Sequence, residues 1–242
     1  MIAPLVTRLA TDADVPGLVA LVNSAYRGDS SRAGWTTEAD LLDGMRIDAE
    51  RLKATMADEG DNAILVHEDE GHLVACVHLR RTGSRSLGGP DDVANASSLA
   101  TVKATPRRRR GTQGSEASEA QRGHARRSEA NLASCYLGML TTSPTRQGSG
   151  LGRAMIEQAE RFARDHWGST SMEITVLSLR PELVAWYERR GYEKTGERTP
   201  FPYGDDKWGL PKRADLEFYV LRKSLTSITS PGAGGGGSTP PC

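Results

Sequence analysis

Residues Arg146-Gln147-Gly148-Ser149-Gly150-Leu151-Gly152-Arg153 set three glycines at alternate positions between two basic side chains. Glycines let backbone amides come close to an anion. A helix starting at the end of such a loop adds unpaired N–H groups and the positive end of its dipole. The chemistry this suggests is phosphate binding. Three kinds of cradle compete for it. A nucleotide P-loop needs Lys and then Ser or Thr after its last glycine, and here the sequence runs Leu151, Gly152, Arg153. A dinucleotide fold needs Gly-x-Gly-x-x-Gly near the start of a parallel sheet, with an acidic residue about 20 positions on. Here the spacing is Gly-x-Gly-x-Gly and falls late in the chain. The third pattern, Gln/Arg-x-x-Gly-x-Gly, is matched by Gln147-Gly148-Ser149-Gly150-Leu151-Gly152. Taken alone, the loop also reads as a glycine-rich turn without a ligand.

Other residue types could move protons. Tyr187 lies on an apolar stripe with Leu183 and Val184, so periodicity by itself makes it a core aromatic. Glu38, Asp40 and Glu173 are candidate bases, each equally readable as a solvated carboxylate, and a water relay could replace them. Asp205 and Asp206 could draw a cationic amine, or simply form a polar turn. His78 reads as structural. Cys76, Cys135 and Cys242 have no metal-ligand spacing; the first two read as buried reduced thiols.

The elements that must position these residues follow from pattern. Leu5–Leu9 reads as a strand. Thr11-x-x-Asp14 resembles a capping box ahead of a helix carrying Leu18, Leu21, Val22 and Ala25. Residues 26–35 read as a loop. A second helix is expected from near Thr37, with Leu41, Leu42 and Met45 as its stripe, and a third, short one capped by Asp48 with Leu52 and Met56. Asn62–Glu68 and Leu73–Arg80 form a hairpin about Asp69-Glu70-Gly71-His72. Ala133–Thr142 is a strand. Leu151, Met155, Ala159 and Phe162 make one buried stripe on a helix from about Gly150 to Trp167. Ser171–Ser178 is a strand, Pro181 opens a helix that stops at Gly191, and Tyr192–Arg198 and Leu216–Lys223 are the last strands.

The 242 residues carry no formal net charge, but the charge is uneven. Between Arg81 and Ala130 ten Lys/Arg face five Asp/Glu, and large apolar residues almost vanish. Residues 82–130 are therefore expected to be a disordered basic insertion in a single domain spanning 1–225, with 226–242 a flexible Gly/Pro-rich tail. Arg107–Arg110 could serve nuclear import or polyanion binding. No aromatic residue interleaves the run, so nucleic acid is not the expected partner. The N-terminus lacks a basic, then long apolar, leader, and no stretch approaches the roughly 20 apolar residues of a membrane span. The expectation is a cytoplasmic protein without a membrane partner; a homodimer is left open.

Taken together, the glycine loop and Leu183-Val184-Ala185-Trp186-Tyr187-Glu188-Arg189-Arg190-Gly191-Tyr192 resemble the two signatures of the GNAT family of N-acetyltransferases, about 35 residues apart with a helix and a strand between them. The segments Ala25–Asp29, Gly34–Leu41, Pro202–Asp206 and Pro211–Arg213 are similar to a microbial branch of that family. The insertion at 82–130 departs from its pattern. The resemblance implies an α/β fold of α+β type: a mixed, mostly antiparallel sheet flanked by helices, with the family's fourth and fifth strands splayed apart. It implies acetyl-CoA as acyl donor. Its pantetheine arm would pair with Leu140, Thr141 and Thr142, and its pyrophosphate would meet Arg146, Gln147, Gly148, Ser149, Gly150, Leu151, Gly152 and Arg153. The implied reaction is attack of a small-molecule or peptide amine on the thioester, with Tyr187 as general acid and Glu38 as candidate base. Arg27, Trp35 and Asp205 would lie on the acceptor side. A non-catalytic CoA sensor or scaffold is the alternative.

Overall fold

The structure, a computed structural model, describes residues 5–58, 60–83 and 133–226. All of the basic segment beyond Gly83, the tail from residue 227 and Cys242 lie outside them.

Among the described residues a seven-stranded sheet runs in the order β1 (Arg8–Leu9), β3 (Asn62–Asp69), β4 (His72–Thr82), β5 (Ser134–Thr142), β6 (Ser171–Leu177), β9 (Glu217–Ser224), β7 (Glu193–Pro200). Every pairing is antiparallel except β5 with β6. The hairpin between β3 and β4 closes through Glu70 and Gly71, both at positive φ, the geometry a two-residue turn requires.

Alternation along the strands separates two faces. Ile64, Val66 and Cys76 pack under α1 (Val15–Tyr26), which contributes Val15, Leu18, Leu21 and Val22, and under Leu52 of α3 (Ala49–Ala57). Ala63, Leu65, Ala75 and Val77 pack under α4 (Leu151–Trp167) through Met155, Ile156, Ala159 and Ala163. Each fully buried aliphatic side chain contributes about 2 kcal/mol, which outweighs the few tenths of a kcal/mol per residue that separate helix propensities. Asp48 caps α3 by accepting from the Arg51 amide at 2.9 Å, as its position predicts.

The expected start of the first helix is shifted. Thr11 precedes a 3₁₀ turn at Asp12–Asp14, and Asp14 accepts from the Thr11 amide at 2.7 Å before α1 begins. A one-turn helix, α2 (Gly28–Ser31), interrupts the predicted loop. The second predicted helix does not form. Leu42–Asp43 is a short strand, β2, paired antiparallel with β8 (Leu210–Pro211). Leu41, Leu42 and Met45 have helical spacing, but Leu42 buries beside Leu177, Phe201, Trp208 and Leu216 while Met45 stays exposed. Gly44, at φ +80°, turns the chain. Tertiary burial of one residue overrides the local period here.

Cys76 and Cys135 are buried free thiols, pushed up to about 12 by burial. His78 is buried with Nε2 2.8 Å from Asn62 Oδ1, and burial holds it down to about 3, so it stays neutral as a structural residue.

Candidate active site

The parallel pair supplies the opening. β5 and β6 are in register only at Ser134–Ser171, Cys135–Met172 and Tyr136–Glu173, and beyond Tyr136 they part. The edge of β5 that faces β6 therefore has no strand partner from Leu137 onward. On its other side, β5 bulges between Gly138 and Thr141 opposite Val77, with Met139 at φ +49°. A bulge re-aims backbone groups out of a ladder and is common beside functional sites. The Tyr136 ring lies against Gly138, 3.0 Å from where a Cβ would stand, and its hydroxyl reaches Thr175 Oγ1 at 2.8 Å across the gap. A side chain at 138 would collide with that ring.

Two cavities share the mouth of this V. The first, about 260 Å³, is walled by Leu140 and Thr142 of β5, by Gln147, Gly148, Gly150, Gly152 and Arg153 of the glycine loop, and by Trp35, Thr36, Trp186 and Arg190. Gly148 and Gly150 sit at φ +82° and +88°, where a side chain is strained. Gly150 directly precedes α4, and Gly152 and Arg153 of its first turn, where helix amides lack intrahelical partners, line this cavity. The second cavity, about 90 Å³, lies between the splayed strands. Its walls include Tyr136, Gly138, Ile174, Thr175, Arg27, Glu38, Arg46, Arg180, Phe201 and Trp208. Tyr26, Leu140, Leu183 and Tyr187 belong to both.

Tyr187 stands on α5 (Pro181–Glu188) and is buried, with no hydrogen-bond partner for its hydroxyl among the described residues. Burial pushes its ionisation far above the ordinary phenol value, so it holds its proton across the physiological range. Tyr26, unremarked in the sequence as a functional residue, donates to the Leu140 carbonyl at 2.5 Å and thereby ties the end of α1 to the bulge. Burial raises its ionisation too.

Not every expected residue reaches a cavity wall. Of the donor-side residues, Leu140, Thr142, Gln147, Gly148, Gly150, Gly152 and Arg153 do. Thr141 is buried and turns its hydroxyl to Met139 O at 3.0 Å. Arg146 pairs outward with Asp69 at 2.5 Å, Ser149 bonds back to Arg146 O at 2.7 Å, and Leu151 packs against the core. Arg190, inside the second signature, is the missed cation: it stacks 3.4 Å above the Trp186 ring beside Arg153. On the acceptor side, Glu38 lines the smaller cavity and pairs with buried Arg27. Trp35 instead lines the larger cavity, beside the glycine loop. Asp205 faces neither; it caps the turn at Asp206–Trp208 and pairs with Lys207 at 2.6 Å. Glu173 is held by Arg222 of β9, and Asp40 pairs on the surface with Arg32 at 2.8 Å.

Gln147 joins the two halves. Its Oε1 accepts from the Trp35 amide and its Nε2 donates to Thr36 Oγ1, each at 2.8 Å. Arg180 grips the same segment, donating to Trp35 O at 2.9 Å and Thr36 O at 3.3 Å, while its side chain lines the smaller cavity.

A sheet parted at its one parallel pair, with a glycine loop and a helix N-terminus at the mouth of the gap, defines an acyl-CoA N-acyltransferase fold. The model of the acetyltransferase (GNAT) family matches residues 34–192, and the chain belongs to that family, whose acyl donor is acetyl-CoA. Solved structures with the same fold include yncA of Salmonella typhimurium with its cofactor acetyl-CoA (17% identity, TM-score 0.54, covering 96% of this chain and 99% of that one). The ribosomal-protein-alanine N-acetyltransferase of Brucella melitensis is similar at 18% identity and TM-score 0.52, covering 91% of this chain and 99% of that one. A GNAT acetyltransferase of Streptococcus pneumoniae is similar at 15% identity and TM-score 0.52, covering 92% and 99%. Among curated proteins, none matches this chain in sequence. No helix among the described residues is long and apolar enough to cross a membrane.

Proposed function

We propose that the protein transfers the acetyl group of acetyl-CoA to a primary amine of a small molecule or peptide, by direct attack within a ternary complex. The observation that carries this reading is Tyr187: a buried ring whose hydroxyl has no hydrogen-bond partner among the described residues, in the wall shared by both cavities. The pyrophosphate would rest on the amides of Gly148–Gly152, with Arg153 and Arg190 adding charge. The pantetheine arm would run along the unpaired edge of β5, which fixes the thioester near Leu140. The amine nitrogen bonds to the carbonyl carbon as the carbon–sulfur bond breaks. Tyr187 donates a hydrogen bond to the departing thiolate, whose own pKa near 8.5 lies below that of a phenol.

The attacking amine must first be neutral. Glu38 is the carboxylate among the described residues that lines the acceptor cavity; its Oε2 is held by Arg27, and its Oε1 has no partner among them. That free oxygen suits it to receive the amine's proton, directly or through water.

Tyr187→Phe should lower turnover about 100-fold while the acetyl-CoA Kd stays within about twofold, measured by thiol release over an amine panel and by calorimetry. Unchanged turnover sinks the role of Tyr187. Acetyl-CoA binding without transfer to any amine would instead identify a CoA-binding module.

A further inference from the structure

The charges around the acceptor cavity are unbalanced. Arg27, Arg46 and Arg180 line it against one carboxylate, Glu38. Glu38 is engaged by Arg27, and Arg180 pairs with Glu182, a half-exposed residue outside the cavity. Arg46 has no carboxylate partner among the described residues; its guanidinium lies 5.8 Å from the centre of the Tyr26 ring. Its backbone is nonetheless pinned, since the Arg46 amide donates to Asn23 Oδ1 at 2.6 Å and Asn23 Nδ2 donates to Ile47 O at 2.8 Å. Two further N–H groups on cavity residues, Arg27 Nε and Trp208 Nε1, are buried without a hydrogen-bond partner. Buried donors left unpaired cost free energy that a ligand oxygen would recover.

From this we infer that the acceptor is an amine that also carries a carboxylate, an amino-acid-like zwitterion. The inference rests on the transferase reading above and names its substrate class. The ammonium end meets Glu38, and the carboxylate end meets Arg46, with Arg27 beside it. A planar guanidinium fork matches a carboxylate in two parallel hydrogen bonds. The same arginines favour loss of the ammonium proton, because neighbouring positive charge disfavours the charged amine. A polyamine would bring further positive charge to a wall that already has an excess of it.

The test uses the full chain with acetyl-CoA and matched acceptors: amino acids, their carboxamides, and diamines of the same length. Carboxylate acceptors should show kcat/KM about ten- to a hundredfold above their amides, the worth of a hydrogen bond to a charged group. Arg46→Met should bring that ratio close to one and leave acetyl-CoA affinity as it was, and Arg46→Lys should keep part of the preference. In parallel, amino acids should raise the melting temperature of the CoA-loaded protein, and Arg46→Met should abolish that rise. Acetylation of amides or diamines at least as fast as carboxylates overturns the inference and leaves the transferase intact. Carboxylate-specific, Arg46-dependent stabilisation without acetylation supports the pocket and overturns the transferase. No stabilisation and no carboxylate preference overturns the inference.

Discussion

Between Leu140 and Arg153 one stretch of chain supplies half of the donor cavity's wall, whereas the acceptor cavity draws on α1, residues 38–46, β5, β6, α5 and residues 201–218. In the proposed function the donor side works through backbone: positive-φ glycines, helix-end amides and an unpaired strand edge. The acceptor side works through side chains whose charges are set against one another by packing. A backbone site binds a constant anion and tolerates little local change. A side-chain site can alter its specificity one residue at a time without disturbing the fold.

The sharpest way to break that contrast is at the loop. Val in place of Gly150 would hold a β-branched residue at φ +88°, in a region such residues avoid. Gly150→Val should raise the acetyl-CoA Kd about 100-fold, the loss of two or three amide contacts, with helix content by circular dichroism retained. A Kd within about threefold of wild type would mean that the loop's amides do not carry the donor, and the proposed division of labour would fail.

Legibility in the sequence follows the same division. The loop, the helix behind it and the second signature with Tyr187 are local patterns, and the structure brings them to one cavity. The splay of β5 from β6 came only through the family resemblance, because neither strand's own sequence encodes where pairing stops. The residues that went unseen are tertiary. Arg46 sits in a stretch read as the end of a helix, and it reaches the cavity because Leu42 buries and Gly44 turns. Trp208 arrives from a segment distant in sequence, and Arg180, at the start of α5, reaches back to Trp35 and Thr36. The family resemblance places Trp35 and Asp205 on the acceptor side, but the latch of Gln147 draws the first to the other cavity, and Lys207 holds the second in a turn.

The link between the halves can be loosened without removing either. A Cβ on Gly34 would lie 2.6 Å from Gln147 Oε1, so Gly34→Ala must displace that side chain from the Trp35 amide and Thr36 hydroxyl. Two lost hydrogen bonds correspond to about 1–2 kcal/mol of stability. The KM values for donor and acceptor should both rise, by about three- to tenfold, in steady-state kinetics. A rise in only one would show that the segment at 35–36 serves a single cavity and that the halves are independent.

The smallest effect belongs to a pair outside both cavities, which serves as the control. Asp14 accepts from Arg8 at 2.7 and 2.8 Å and from the Thr11 amide. The Arg8 guanidinium holds its carboxyl below the usual carboxylate range, with the Thr11 bonds acting in the same direction. A folded-state pKa lowered from the unfolded value near 3.9 gives stability that is present above about pH 4 and is lost as pH falls through the folded value. Asp14→Asn should therefore cost about 1 kcal/mol at pH 7 and make the acid limb of the stability curve shallower, measured by urea titration at several pH values. Acetyl-CoA affinity and the carboxylate preference should not change. If either did, the ends of α1 would be coupled through Tyr26 to the bulge, and the two-part site would have to be extended to include the helix that spans it.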